Sequence, residues 1–180
     1  MGKLYTKSGD DGFTTLADGK RVKKSSGLIE LYGALDELNV FLAHGIESLY
    51  HNQEFDFLLK QIYSIQKELF ELGALLVSGE KFAISSQNIS RLEEEIDNMS
   101  EKLPVLNSFI LPGGGEAATR IHMARVVCRR AERVAFRLAD DSSSAEMVGI
   151  YLNRLGDWLY AASRTAALIS NAEEMVVEDL

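Results

Sequence analysis

The sequence has few cysteines and prolines, no long apolar run and little positive charge, and these shortages limit which classes of protein it can belong to. It contains one cysteine, Cys128, so no disulfide forms within the chain, which fits a protein of the reducing cytoplasm. Its two prolines, Pro104 and Pro112, fall in one segment and leave the rest of the 180 residues free to form helices. No run of about eighteen apolar residues occurs, so we expect no membrane span. Positive charge is scarce too: a net charge of −8 and a pI near 4.9 argue against a broad surface for nucleic acid or anionic lipid, but not against one local anion site.

What the sequence has in abundance is helical periodicity. Apolar residues recur every three or four positions, as at Leu31, Leu35 and Leu38, which is the spacing of one face of an α-helix. Ser90 and Glu93 have the spacing of a capping box and predict where a third helix begins. The predicted helices cover residues 28–50, 54–77, 90–103, 116–139 and 145–170.

These elements predict an all-α protein, a five-helix up-and-down bundle that forms one domain. The bundle occupies residues 28–170, and a short tail follows at 171–180. Residues 1–27 are different, because glycines and hydroxyl side chains occur there without a helical period. An irregular segment of this length on a compact domain is typically either functional or disordered.

The segment HMARVVCRRAERVAFR, residues 122–137, concentrates five arginines in this acidic chain. Residues four apart share a helix face, so Arg125, Arg129, Arg133 and Arg137 form a stripe. Guanidinium groups stacked in this way repel one another and need carboxylate partners or a bound anion, and they bind phosphate through paired hydrogen bonds. A solvated, salt-bridged face and a phosphate-binding face both stay open from this helix alone.

Arg125 differs from the rest of the stripe, because its apolar neighbours in the sequence predict a partly buried position. A buried arginine needs a carboxylate. Asp36, which lies within the otherwise apolar face of YGALDELN, is a candidate partner.

The N-terminal segment favours the phosphate-binding interpretation. Backbone N–H groups in glycine-rich turns form concave anion sites, and hydroxyl side chains add donors. The segment is not a P-loop, because Gly19-Lys20 is followed by Arg21. Gly113 and Gly115 have the spacing of a dinucleotide fingerprint but lack its strand–helix–strand context, so we predict a helix entry there. The lysines that surround the N-terminal glycines are Lys7, Lys20, Lys23 and Lys24.

Metal and nucleophile chemistry have weaker signals. The three histidines show no Glu-x-x-His spacing, so a di-iron bundle lacks its ligands. Cys128 lies within an apolar helical period and fits a packing role better than that of a nucleophile.

Five motifs, taken together, resemble one family. YTKSGDDGFTT, YGALDELN, FILPGGG, ARVVCRRAER and YLNRLGDWLY occur in that order from about residue 4 to residue 168, and they resemble the PduO-type ATP:cob(I)alamin adenosyltransferases. The resemblance implies a five-helix bundle assembled as a homotrimer, with active sites between subunits. It also implies a transferase reaction, in which cob(I)alamin attacks the C5′ carbon of ATP, triphosphate leaves and adenosylcobalamin forms. The protein must then hold a highly charged leaving group in line, with Mg²⁺ sharing that task.

The resemblance assigns roles to particular residues. Asp36 and Arg125 match a pair that forms an intersubunit salt bridge, and Arg129 is assigned to catalysis with them. Phe109 matches an aromatic beneath the corrin, where it displaces the lower axial ligand and leaves four-coordinate cobalt that is easier to reduce. No metal ligand is assigned, because Mg²⁺ is expected to be held mainly by the phosphates of ATP. The implied ATP contacts are Thr6, Lys7, Ser8, Gly9, Thr14, Thr15, Lys24, Arg129, Arg130, Glu132, Arg133 and Asn153.

Two alternatives differ from this enzyme in their chemistry. A regulatory module of the same fold would bind ATP without turnover, whereas a structural helical assembly protein would bind no ATP and would leave the lysine-rich loop unexplained. For the enzyme, the expected partners are its own copies, cobalamin, ATP, a cob(II)alamin reductase and an adenosylcobalamin-dependent enzyme. We expect no nucleic acid, no membrane and a cytoplasmic location.

Overall fold

The computed structural model describes residues 4–78, 84–139 and 143–177, in which five α-helices follow a small two-stranded sheet. The predicted five-helix fold is confirmed. The ends of the predicted loop and tail, residues 1–3 and 178–180, lie outside the described residues. The helices are α1 Gly27–Ile46, α2 Asp56–Ser78, α3 Ser86–Ser100, α4 Gly115–Ala139 and α5 Ser143–Ile169, with a 3₁₀ turn at Gln53–Phe55 before α2.

The apolar stripes found in the sequence form the core. Helix α4 packs along α5 and α1, while α2 packs on α1 and α3 packs on α5. Of the described helices, none is long and apolar enough to cross a membrane. The stripe residues of α1 are at most 2% exposed, and those of α2 at most 4%: they are Leu31, Leu35, Leu38 and Leu42 in α1, and Leu58, Ile62, Ile65, Leu69, Leu72 and Leu76 in α2.

Two helix boundaries differ from the prediction by four residues, and the others agree within three. Helix α1 ends at Ile46 because the chain forms a tight turn there, in which Leu49 donates its N–H to Ile46 O at 2.8 Å. The Leu49 side chain stays buried. Helix α3 begins four residues before the predicted Ser90. Its N-cap is Ser85, whose N–H is accepted by the Asn88 side chain at 3.0 Å. An asparagine thus takes the place that glutamate or glutamine has in the usual capping box.

A polar network joins α2, α3 and α5. Arg91 donates to both carboxylate oxygens of Glu68 at 3.0 Å and to Glu95 at 2.7 Å. The Tyr151 hydroxyl donates to Glu68 at 2.6 Å, and the Trp158 indole N–H donates to Glu95 at 2.7 Å. Burial acts to lower the pKa of Arg91, but its two carboxylate partners outweigh burial and raise it. Because each donor has a specific acceptor, the network fixes how the three helices align.

The sequence predicts an irregular N-terminal segment, but part of this segment forms a β-hairpin. Strands β1, Phe13–Thr15, and β2, Arg21–Lys23, pair antiparallel with Thr14 opposite Val22. Gly19 allows the turn between them, because its φ of 84° is one that other residues rarely adopt. The hairpin therefore gives the predicted anion loop a defined backbone.

Candidate active site

The arginines of α4 have different surroundings. Arg137 pairs with Glu30 at 2.6 Å, and Arg130 pairs with Glu37, so both are tied to α1. Arg133 has no ion-pair partner within the described part of the chain. The salt-bridged interpretation therefore holds for Arg137 of the stripe and for Arg130 beside it, whereas Arg129 pairs with a carboxylate of its own helix.

Arg129 turns toward α5 and joins a three-residue network. Its Nη1 lies 2.9 Å from Oε2 of Glu132, whose side chain is 9% exposed. Asn153 of α5 donates its side-chain N–H to Glu132 Oε1 at 2.9 Å. A β-carbon at Gly156 would lie 3.1 Å from Arg129 Cδ, so the missing side chain there leaves room for the arginine. Three predicted ATP contacts are thus adjacent, and one buried carboxylate forms an ion pair with Arg129 and accepts a hydrogen bond from Asn153.

A cavity of about 380 Å³ opens beside this network and is rich in charged side chains, among them Arg125, Arg129, Asp157 and Arg164. The Arg125 guanidinium lies 6.0 Å from the ring centre of Tyr160, a cation–π contact. Its Nε is buried and has no hydrogen-bond partner among the described residues. An unpaired buried donor is costly, so this wall of the cavity is suited to an incoming acceptor.

The N-terminal loop brings together another set of predicted contacts. Thr6 Oγ1 and Ser8 Oγ lie 2.8 Å apart, and Lys7 between them has a left-handed φ of 62°. A β-carbon at Gly9 would lie 2.9 Å from Lys24 Nζ, so the ammonium group crosses over a glycine that has no side chain to block it. Hydroxyls and a cation converge here, as an anion site requires.

A cleft of about 550 Å³ lies next to this loop and is lined by Thr14, Thr15, Lys24 and Tyr32. Tyr32 also lines a second, smaller pocket of about 250 Å³, which contains Asp36 one helical turn further along α1. The predicted hydroxyl pair and the predicted carboxylate therefore lie along one face of the molecule.

Asp36 and Arg125 do not meet within one chain. Asp36 lines the pocket on α1 and α2, whereas Arg125 lines the cavity on α4 and α5. Neither has an ion-pair partner in residues 4–78, 84–139 and 143–177. A salt bridge between them would have to join two chains.

Phe109 is 86% exposed and lies in the connection from α3 to α4. Its carbonyl accepts the N–H of Val177 at 2.9 Å, and Leu111 donates its N–H to Met175 O at 2.9 Å. The sequence predicts only a short tail at residues 171–180. The described part of that tail instead pairs with the segment that presents Phe109.

Cys128 is fully buried and donates its S–H to Leu152 O at 3.2 Å. Burial raises the pKa of the thiol, which leaves it protonated and unreactive. The packing role predicted for it is confirmed. Among the described residues, no group of three histidine, cysteine or acidic side chains is arranged to hold a metal ion.

Comparison with known proteins gives consistent matches. The family model for cobalamin adenosyltransferase matches residues 4–166. The corrinoid adenosyltransferase of Bacillus subtilis is 40% identical over 165 residues, which are 90% of this chain and 85% of that protein. Corrinoid adenosyltransferase PduO of Citrobacter freundii is 41% identical over 167 residues, which are 89% of this chain but 49% of that protein, so this chain spans about half of its length.

Solved structures match over nearly the whole chain. A variant of the PduO-type ATP:corrinoid adenosyltransferase from Lactobacillus reuteri, complexed with cobalamin and ATP, superposes with a TM-score of 0.88 at 32% identity, covering 97% of this chain and 98% of that one. A second variant of that protein, complexed with ATP, gives a TM-score of 0.87 at 34% identity, with 96% and 99% covered. This chain therefore belongs to the cobalamin adenosyltransferase family.

Proposed function

We propose that this chain is a corrinoid adenosyltransferase, which transfers the 5′-deoxyadenosyl group of ATP to cob(I)alamin and releases triphosphate. The observation that carries the proposal is the network of Arg129, Glu132 and Asn153 beside a cavity lined by cations. Relatives that are named corrinoid adenosyltransferases, and related structures complexed with cobalamin and ATP, support it.

The reaction sets a clear demand on the protein. The electron pair of Co(I) forms a bond to C5′ of ATP while the bond from C5′ to the triphosphate oxygen breaks, and the triphosphate keeps that bond's electrons. Negative charge therefore grows on the leaving group, and preorganised cations and N–H donors lower the barrier most when they are already in place. Arg129, Arg130 and Arg133 would bind this charge, while Glu132 fixes the position of Arg129 and Asn153.

The N-terminal loop would supply the rest of the ATP site. Hydroxyls, backbone N–H groups and the Lys24 ammonium suit phosphate oxygens. Mg²⁺ would be held mainly by the phosphates themselves and would neutralise part of the same charge. The loop residues to which we assign ATP binding are Thr6, Lys7, Ser8, Gly9, Thr14, Thr15 and Lys24.

We place the active site between subunits of a homotrimer. Within one chain, the arginines of α4 and the residues of the N-terminal loop line two different cavities, so a second copy is needed to bring them together. Asp36 lies one turn after Tyr32 on α1, and Arg129 lies one turn after Arg125 on α4. If Asp36 pairs with Arg125 of a second copy in an antiparallel contact, Arg129 of that copy comes opposite Tyr32, about 5.4 Å along the helix. Tyr32 lines the cleft that contains Lys24, so a single ion pair would align both halves.

Exposed apolar side chains support an interface on this face. Phe70 is 73% exposed and lines the Asp36 pocket together with Tyr32, while Val40 is exposed one turn beyond Asp36. Exposed apolar groups around a carboxylate are typical of a surface that another protein covers.

The assembly can be tested by light scattering of Asp36→Asn, with Glu37→Gln as the control. Both changes neutralise adjacent acids of α1, but Glu37 has its partner Arg130 in the same chain. We expect Asp36→Asn to weaken the trimer and Glu37→Gln to leave it intact. A trimer equally stable in both variants would contradict the intersubunit pair.

We assign Phe109 to the lower face of the corrin from the resemblance in sequence. Its exposed aromatic ring and the backbone hydrogen bonds at its own carbonyl and at Leu111 support the assignment. Cob(II)alamin needs one electron before transfer, so a reductase must supply Co(I). The product is consumed by an adenosylcobalamin-dependent enzyme. We place this chemistry in the cytoplasm, where a lone buried thiol is stable. We also propose that residues 1–180 form a single domain.

Analysis of the phosphorus products tests the function. Enzyme, Mg-ATP and chemically reduced cobalamin are incubated without oxygen, and phosphorus NMR identifies what leaves ATP. We expect triphosphate in amounts equal to the adenosylcobalamin formed. ATP binding without triphosphate release would indicate the regulatory module, and an absence of ATP binding would indicate a structural protein.

A further inference from the structure

The C-terminal segment returns along the α3–α4 connection and is fixed there by a buried ion pair. Arg164 of α5 is 7% exposed, and its Nε donates to both carboxylate oxygens of Glu174 at 3.1 Å. Its Nη2 donates to Glu174 Oε2 and to the carbonyl of Pro104, each at 3.0 Å. One guanidinium thus joins the tail to the start of the segment that contains Phe109.

The tail in turn holds the middle of that segment. Glu174 is followed directly by Met175, which accepts the N–H of Leu111, and Val177 donates to Phe109 O, both at 2.9 Å. These hydrogen bonds lie on either side of an isolated β-bridge. The backbone at Phe109 is therefore ordered through residues that Arg164 anchors.

The far end of the segment is fixed by close packing. Gly114 has a φ of 84°, and a β-carbon there would lie 2.6 Å from the Ala167 methyl group. Gly115, with a φ of 86°, would bring a β-carbon within 3.2 Å of the Ala172 methyl group. Only glycine allows both this backbone conformation and this approach to the end of α5. The connection is thus held at both ends, while the Phe109 side chain between them is exposed.

We propose that Arg164 and Glu174 are positioning residues for Phe109, which rests on the function proposed above. An exposed aromatic ring cannot be held by its own packing, so its location depends on the backbone that carries it. The three hydrogen bonds from Arg164 to Glu174 and the one to the Pro104 carbonyl are directional, and the planar guanidinium fixes both groups that it contacts. We define the clamp as Arg164, Glu174 and the Pro104 carbonyl. Loss of its Glu174 carboxylate would leave ATP binding unchanged and displace Phe109.

Glu174→Gln tests the clamp, and Glu93→Gln is its matched control. Both glutamates pair with an arginine of α5, but Glu93 pairs with Arg154 away from the tail. The first readout is hydrogen exchange of the Leu111 and Val177 amides, which needs no cobalamin. We expect both amides to exchange at least about tenfold faster in Glu174→Gln and at the wild-type rate in Glu93→Gln.

The second readout is the spectrum of cob(II)alamin bound with ATP. The fraction of four-coordinate cobalt should fall several-fold in Glu174→Gln, and kcat/KM for cobalamin should fall about tenfold to a hundredfold. The dissociation constant of ATP should not change. A general loss of helix stability would affect Glu174→Gln and Glu93→Gln alike. It would not change the cobalt spectrum of Glu174→Gln while leaving that of Glu93→Gln as in the wild type.

The outcomes separate two kinds of failure. Wild-type cobalt spectra and wild-type exchange in Glu174→Gln would overturn the clamp. Faster exchange with unchanged spectra would overturn its role in positioning Phe109. If the wild-type protein itself gave no ATP-dependent four-coordinate signal, the proposed function would fail, and the exchange rates would still decide whether the ion pair orders the segment.

Discussion

Replacement of Arg129 by alanine should separate catalysis from folding. The arginine side chain is 44% exposed and its partner Glu132 is nearly buried, so the change removes an ion pair but little core packing. The Arg129 guanidinium lies 2.9 Å from Glu132 Oε2 but is not aligned to donate a hydrogen bond to it, so charge alone compensates this buried oxygen and loss of the cation leaves it uncompensated. We expect the free energy of unfolding to fall by about 1–2 kcal/mol, the cost of leaving a buried polar group without its partner.

The effect on transfer should be larger. A preorganised donor aimed at developing charge contributes about 2.7–4 kcal/mol to the transition state, which corresponds to roughly 10²- to 10³-fold in rate. The single-turnover rate at saturating ATP should therefore fall by at least that factor, while the helical circular dichroism signal remains.

Arg137→Ala is the matched control for this variant. Arg137 lies two turns further along the same stripe and pairs with Glu30 on the surface, so its loss should cost less than about 1 kcal/mol and leave the rate unchanged. Equal losses of rate in the two variants would refute the distinction between them. A loss of helical signal in Arg129→Ala would refute the ligand-contact role.

Three further predictions concern Gly156, His122 and Cys128. Gly156→Ala should stabilise α5 by up to about 1 kcal/mol, yet weaken ATP binding because the new methyl group displaces Arg129; unchanged affinity in a calorimetric titration would contradict this. Burial and the charge of Arg125 lower the pKa of His122, against the opposing effect of a nearby carboxylate, so the unfolded chain binds the proton more tightly. Stability should therefore fall as pH drops below the ordinary value of 6.5, and urea unfolding of His122→Gln should show a smaller slope with pH; an equal slope would exclude the histidine as its source. Cys128 should resist a thiol reagent at pH 8 until the protein unfolds, and rapid labelling of the native state would contradict its burial.

The helices were predictable from the sequence because long amphipathic segments repeat one signal many times. Leu35 and Leu69, for example, each belong to a stripe of which every member is buried. The β-hairpin carries no such signal, since its strands have three residues each. The start of α3 was misplaced because Asn88 completes the cap, and the sequence pattern used to find it requires glutamate or glutamine.

The site was predictable where the contacts are local. Arg129 and Glu132 are three residues apart on one helix, so their pairing follows from helical geometry. The clamp formed by Arg164 and Glu174 joins residues on either side of a helix end, where no period applies. A signal for it did exist: Arg164 stands alone among alanines and other small residues in YAASRTAALI, a pattern like the one that predicts a partly buried position for Arg125.

An anaerobic absorbance time course tests the proposed transfer most directly. Protein, Mg-ATP and chemically reduced cob(I)alamin are mixed, and the Co(I) band is followed in wild type, in Arg129→Ala and without ATP. We expect the band to decay into the spectrum of adenosylcobalamin only when both ATP and Arg129 are present. Persistence of the Co(I) band in the wild-type protein, despite measurable ATP binding, would contradict adenosyl transfer by this chain.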